Sequence, residues 1–253
     1  MGCKGTGRKC CHYQYPYAGK TSVKFKKIWD DNSDQDGLRE KFGELYVALF
    51  ADGTLVEKDA DGNAVAPKQI NKKSNTSEYS WDNLPKYKSG KEITYTIKEG
   101  TLTNGVFQEF TKESLENLGY TSKTDTAKTP IELTNTHEPK TESLKVIKTW
   151  AGKDATKDDG NRPDSVTVKL QKSTDGKKWK DVANSAGVQT TVTLNENNSW
   201  SYTWSKLPSY ESGKKLSYQV VETVPSHYEV TYGKSVDNNG VSTITVTNTY
   251  KPT

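Results

Sequence analysis

Beyond Cys11 the chain has no cysteine, and beyond Met1 it has no methionine. Disulfides are therefore excluded as the staple of residues 12–253. Aliphatic, aromatic and cysteine residues make up only 31% of the 253 positions. The longest apolar run is Tyr46–Ala51, far short of the roughly 18 residues of a membrane-crossing helix. No secretory signal peptide is visible, because the first residues hold no apolar segment. The formal charge of +4 is also misleading. Lys4, Arg8, Lys9 and Lys20 fall in residues 1–20 with no acid among them, so the rest of the chain sums to zero. A neutral body removes the case for nucleic acid as a partner.

What is present is a duplication. KFKKIW at 24–29 returns as KVIKTW at 145–150, and WDNLPKYKSGK at 81–91 as WSKLPSYESGK at 204–214. ITYTIKE at 93–99 returns as LSYQVVE at 216–222, and IELTNT at 131–136 as ITVTNT at 244–249. The spacing is 121 residues at the first pair, 123 at the middle pairs and 113 at the last. Near-constant spacing in fixed order means two copies of one domain. The drop to 113 places an insertion of ten residues in copy one, between Glu99 and Asn135. Thr111–Gly119 lies there and has the composition of a short surface helix. Pro139 and Pro252 each follow a last strand and act as stops. The expected domains are 21–139 and 140–253, behind a leader of residues 1–20. That leader holds all three cysteines and has no counterpart before copy two. It is expected to be an appended or engineered segment, or a remnant of a preceding region.

Short alternating runs rich in Thr, Val, Ile, Tyr and Trp, bounded by Asp-Gly, Asn-Gly and Ser-Gly, predict strands. They cover Val23–Trp29, Leu45–Phe50, Ile93–Glu99, Val166–Leu170, Leu216–Glu222 and Ile244–Tyr250. Long helical periodicity is absent. Each copy is therefore expected to be an all-β sandwich.

Alternation along these strands also exposes an anomaly. Val23, Phe25, Lys27 and Trp29 share one face, as do Leu144, Val146, Lys148 and Trp150. Ile93, Tyr95, Ile97 and Glu99 align, and so do Leu216, Tyr218, Val220 and Glu222. Ile131, Leu133 and Asn135 align, and so do Ile244, Val246 and Asn248. Each copy thus aims one lysine, one glutamate and one asparagine at its core. Buried charges are costly unless paired. One reading is a buried ion pair bridged by the amide. The other is chemistry. Desolvation favours a neutral, nucleophilic lysine and a neutral acid that can protonate a leaving ammonia, giving a Lys–Asn isopeptide bond. Alternation alone leaves both open.

The ordered motifs resemble the Cna B-type domains of Gram-positive surface adhesins and pilins. They are KIW and KTW, the DNSDQDG and DDGNRP loops, LPxYxSGK twice, TIKE and VVE, and LTNTHEP and VTNTYKP. The resemblance spans about residues 21–253. It implies two tandem reverse-immunoglobulin sandwiches. It also implies one intramolecular isopeptide bond each, Lys27–Asn135 assisted by Glu99 and Lys148–Asn248 assisted by Glu222. Copy one departs from the pattern at LREKFGELYVALF, where copy two has Asn161-Arg162-Pro163. A bond closing 108 positions in copy one and 100 in copy two would restrict the unfolded chain by about 2–4 kcal/mol, by analogy with a disulfide.

Other signals fall away. Gly19-Lys20-Thr21 lacks the first glycine of a phosphate loop, since position 14 is Gln14. Asn32–Gly37 lacks the carboxylate of a calcium loop, since position 43 is Gly43. Cys3, Cys10, Cys11 and His12 match no zinc spacing. No cofactor and no metal are expected. An enzyme using Lys27 or Lys148 as a Schiff-base amine is disfavoured by duplication and burial. The chain is expected to be a structural repeat fragment of a cell-wall-anchored, extracellular protein. It is read as a monomer that neighbours other repeats and does not insert into a membrane. The alternative is a ligand-binding adhesin domain, whose site would lie near residues 100–130. No sorting signal follows Thr253, which fits a piece of a longer protein.

Overall fold

A computed structural model of the chain describes residues 19–152, 162–183 and 188–251. Nearly all of the leader, with its three cysteines, lies outside these residues, as does Pro252. Two compact units are present. The first takes residues up to Asp30 together with Arg39–His137, and the second takes Asp31–Leu38 with the chain from Glu138 onward.

In the first unit an opening strand, Lys20–Asp30, lies between a strand at Thr76–Pro85 and the closing strand, Ile131–Thr136. Thr121–Asp125 completes that sheet beyond the closing strand. The facing sheet is built on Tyr46–Ala51 and Tyr95–Thr103, with Val106–Glu109 paired back on the latter. The second unit repeats the plan. Its opening strand, Thr141–Ala151, lies between Ser201–Pro208 and the closing strand, Ser242–Tyr250, which also pairs with Tyr228–Val236. The facing sheet places Ser165–Ser173 between Ser217–Glu222 on one side and Thr191–Asn195 on the other. Both units are β-sandwiches, as alternation and turn spacing imply.

The opening and closing strands run parallel in both units. A parallel pair cannot be joined by a tight turn, so the rest of the domain is the crossover between them. The alternation holds through the opening strands. Val23, Phe25, Lys27 and Trp29 are buried, and so are Leu144, Val146 and Lys148, with Trp150 half-buried.

The repeated WxxLPxYxSGK segment has a physical basis in three contacts made twice. Trp81 Nε1 donates to Ala66 O at 2.9 Å, and Trp204 Nε1 to Gln189 O at 2.6 Å. Tyr95 Oη donates to Pro85 O at 2.7 Å, and Tyr218 Oη to Pro208 O at the same distance. Ser89-Gly90 and Ser212-Gly213 each place two successive residues at positive φ. That is the conformation of a tight type I′ hairpin turn, where glycine is favoured at the second position.

Two expectations need adjustment. The strand expected at Ile93–Glu99 begins at Tyr95, because the Ile93 amide closes the preceding turn onto Lys86 O at 3.0 Å. It also runs on to Thr103, because Asn104-Gly105 at positive φ turns the chain back along it. The insertion contains the expected helix at Lys112–Leu118. Thr111 caps its N-terminus by accepting from Ser114 N at 3.1 Å, Gly119 ends it at φ 91°, and Leu115 is buried beneath it. Phe25 is fully buried and stacked between Tyr79 and Trp81, with ring centroids 5.0 and 5.2 Å away. Phe25→Ala is expected to destabilise the first unit by about 3–5 kcal/mol, read from the urea midpoint by tryptophan fluorescence.

Candidate functional site

Parallel pairing decides what stands beside the buried lysine. Trp29 is level with Asn135 and Lys27 with Leu133, so Lys27 and Asn135 are diagonal neighbours on one inner face. The second unit repeats this with Trp150 level with Asn248 and Lys148 with Val246. The glutamate reaches in from the facing sheet. In the first unit Lys27 Nζ lies 3.2 Å from Glu99 Oε1, and Asn135 Nδ2 donates to the same oxygen at 2.9 Å. In the second, Lys148 Nζ lies 3.5 Å from Glu222 Oε2, and Asn248 Nδ2 donates to Glu222 Oε1 at 2.7 Å. The structure therefore brings all six residues singled out by alternation into two clusters of three. Lys27, Asn135 and Asn248 are 0% exposed, and Lys148, Glu222 and Glu99 no more than 6%.

The walls are aromatic. Lys27 Nζ sits 4.3 Å from the centre of the Trp29 ring, and Lys148 Nζ 4.4 Å from that of Trp150. Trp29 is met edge-on by Phe42 and Tyr120, and Trp150 by Trp200 and Tyr228. A cation over an indole face is stabilised by the ring quadrupole, and the rings exclude water. In the second unit burial lowers the Lys148 ammonium from its ordinary value to about 8, against the opposing pull of Glu222, with Arg162 adding a smaller push in the same direction as burial. Burial also raises the Glu222 carboxyl above its usual range, against the pull of Lys148 and Asn248. The two shifts draw the proton affinities of the pair together. The asparagine carbonyls add a further oddity. Asn135 Oδ1 and Asn248 Oδ1 are buried and accept no hydrogen bond. A buried unsatisfied acceptor costs on the order of 1–3 kcal/mol and is uncommon in native folds. The same carbonyl is left without a donor at matched positions of both units.

Sequence reasoning missed several neighbours. Arg39 stacks 5.1 Å over Trp29 and donates to Lys72 O at 3.0 Å and Asn75 Oδ1 at 2.7 Å. Arg162 stacks 5.2 Å over Trp150. Copy one's departure at LREKFGELYVALF thus keeps the arginine and replaces the proline link with a turn at Arg39–Phe42. The signal was available, since Arg39 and Arg162 are separated by the same 123 residues as the SGK motifs. Ser122 was also missed, and its Oγ donates to Glu99 Oε2 at 3.1 Å.

Comparison with known proteins assigns the chain. The model of the Cna protein B-type domain matches residues 23–136 and again 144–249. The chain belongs to the Cna B-type domain family. A collagen adhesin of Staphylococcus aureus is 32% identical over 234 residues, which is 92% of this chain but 16% of that protein. The chain thus spans a small part of this curated relative. Among solved structures, a single B repeat unit of the Staphylococcus aureus collagen-binding surface protein is 28% identical. It covers 92% of this chain and 100% of its own, with a TM-score of 0.35. A major pilin of Streptococcus pyogenes is 16% identical and covers 92% of this chain and 98% of its own, with a TM-score of 0.34. Among the described residues no helix is long and apolar enough to cross a membrane.

Removing one charge from a buried pair is costlier than removing both. Lys148→Met strands Glu222 without its cation, whereas Lys148→Met with Glu222→Leu leaves no charge to solvate. The double variant is expected to be the more stable by about 3–5 kcal/mol at pH 7.5. A carboxyl raised by folding binds its proton where the unfolded chain has lost it, so its penalty grows as pH rises. The gap should therefore shrink toward pH 5, as measured by urea unfolding at both values.

Proposed function

We propose that the chain is a pair of stalk repeats, residues 21–139 and 140–253, from a cell-wall-anchored adhesin or pilin of a Gram-positive bacterium. In this reading each repeat locks itself with one isopeptide bond, Lys27–Asn135 or Lys148–Asn248, assisted by Glu99 or Glu222. The observation that carries the proposal is the meeting of lysine, glutamate and asparagine in a dry aromatic pocket, twice, on parallel first and last strands.

The chemistry follows from the contacts. A neutral lysine Nζ attacks the asparagine Cγ, the Cγ–Nδ2 bond breaks, and Nδ2 leaves as ammonia. The lysine sheds one proton and the leaving nitrogen gains one, so atoms and charge balance. The carboxyl contacts both nitrogens, which suits it to carry that proton. The ion pair and the neutral pair hold the same single proton, so their exchange does not itself depend on pH. Raising Glu222 and lowering Lys148 populates the neutral pair. The bond forms once in each repeat, and no substrate is turned over.

The mechanical consequence rests on topology. Tension applied at the start of the opening strand and the end of the closing strand would pass through the crosslink. The residues between Lys27 and Asn135, or between Lys148 and Asn248, would be shielded from load. A crosslink made without thiols suits a body without cysteine. The alternative of a ligand-binding domain pointed to residues 100–130. These form a hairpin and a short helix, with Leu115 buried and Phe110 against Phe42, so packing within the unit accounts for the insertion.

Intact mass is expected to be lower than that of the sequence by two molecules of ammonia, and Glu99→Ala or Glu222→Ala should each restore one. A mass equal to the unmodified sequence would sink the proposal. For chains refolded from inclusion bodies, the rate of ammonia loss in the second unit should be flat near neutrality. It should fall on the alkaline side about pH 8, where the pair gives up its shared proton, and again in acid, where the pair takes up a second.

A further inference from the structure

The two clusters are not identical, and the difference lies in one side chain. Ser122 stands level with Asn135 in the first unit, and Val230 stands level with Asn248 in the second. Ser122 Oγ donates to Glu99 Oε2 at 3.1 Å. Val230 has nothing to donate, and Glu222 Oε2 faces the Lys148 ammonium at 3.5 Å instead of a hydroxyl. The carboxyl orientations follow. With Oε2 held by the serine, Oε1 is the Glu99 oxygen nearest Lys27 Nζ and the one that accepts from Asn135 Nδ2. Glu222 instead divides the work, with Oε2 toward Lys148 and Oε1 toward Asn248.

Resting on the crosslinking proposal, the geometry points to Ser122 as a positioning residue that sets how Glu99 carries the proton, making the two units close their bonds with different pH dependence. One oxygen of Glu99 can take a proton from Lys27 and hand it to Asn135 without the carboxyl rotating. In the second unit two oxygens share the transfer, Oε1 delivering a proton to Asn248 while Oε2 takes one from Lys148. The serine has a second effect, because a hydroxyl donated to a carboxylate stabilises the charged form. It stabilises the ion pair and the fully deprotonated pair alike. Of the two midpoints of the pH–rate profile it therefore moves only the acid one, where the pair takes up a second proton, and it lowers the plateau between them by favouring the ion pair over the reactive neutral pair.

Other groups around each acid do not reproduce this contrast. Facing Glu99 are Lys27 from the opening strand, Asn135 from the closing strand and Val47, level with it on the adjacent strand. Beyond them are Arg39 over Trp29, and Tyr120 against Trp29 and His137. Facing Glu222 are Lys148, Asn248 and Val168, with Arg162 over Trp150 and Tyr228 against it. Tyr232 Oη accepts from the Glu222 backbone amide at 3.1 Å and leaves the carboxyl alone. Lysine, arginine, asparagine, valine and tyrosine are matched between the two sites; the serine is not, and His137, which lies behind Tyr120 and matches Tyr250, does not touch the carboxyl.

The test is the rate of ammonia loss on refolding across pH 4–9, with peptide mapping to assign each bond to its unit. Ser122→Val is expected to move the acid midpoint of the first unit's profile upward by about one pH unit and to raise the plateau rate, with the alkaline midpoint fixed. Ser122→Thr keeps the hydroxyl and should restore the original profile. Val230→Ser, made in the other unit, should move the second profile's acid side downward. A first-unit rate that falls by one factor at every pH, or an acid side unmoved in both Ser122→Val and Val230→Ser, would overturn the assignment. Absence of ammonia loss in the unsubstituted chain at any pH is a different result, which would remove the crosslinking proposal and this one with it.

Discussion

A lysine ammonium held against a glutamate carboxylate between two sheets is the contact on which each unit is organised. Neither charge tolerates burial alone, so the two sheets must approach closely enough to pair them. That requirement fixes the register of the opening strand, because a slip by one residue would turn Lys27 and Trp29 outward together. It also fixes what lies next to the lysine. The closing strand must bring an amide that can bind the remaining carboxylate lone pairs, and parallel pairing puts Asn135 or Asn248 one diagonal step away. The tryptophans two residues beyond the lysines roof the cluster, and the stacked arginines cover the tryptophans. The hydrophobic core and the polar cluster are thus one construction.

The same contact explains why the cluster looks poorly optimised for stability alone. A buried ion pair is often no better than an apolar replacement, and each unit leaves an asparagine carbonyl without a donor. Burial works against the charged forms in the second unit, narrowing the gap between ion pair and neutral pair. Stability would favour the opposite arrangement. The cost becomes intelligible if the cluster is a reacting group, with its energy recovered in a covalent tie between first and last strands.

Much of this was legible in the chain before any coordinates. Period-two alternation placed Lys27, Glu99, Asn135 and their counterparts inward, because side chains of a strand must alternate faces. The duplication sharpened the reading, since a chance polar residue at a core position seldom recurs at matched spacing. The hairpin at Asn104-Gly105 and the capped helix at Lys112–Leu118 lay within the insertion found by counting. Ile93 was placed one turn too far into its strand, because alternation cannot see that its amide belongs to the turn before. Ser122 lies among exposed polar residues of Thr121–Asp125, a run that gives no apolar alternation to read. Arg39 was hidden by a locally altered sequence, although its spacing to Arg162 equals that of the SGK motifs.

By itself, then, the sequence determined that there are two copies of a strand-rich domain and which three polar residues in each turn inward, since both follow from local periodicity and repetition. Only the tertiary structure decided which oxygen faces which nitrogen, that first and last strands run parallel, and that a serine donates to one carboxyl where a valine stands in the other unit. Those features depend on residues 23 to 108 positions apart in sequence meeting across a strand pair, or on opposite sheets, and local pattern carries no information about such meetings.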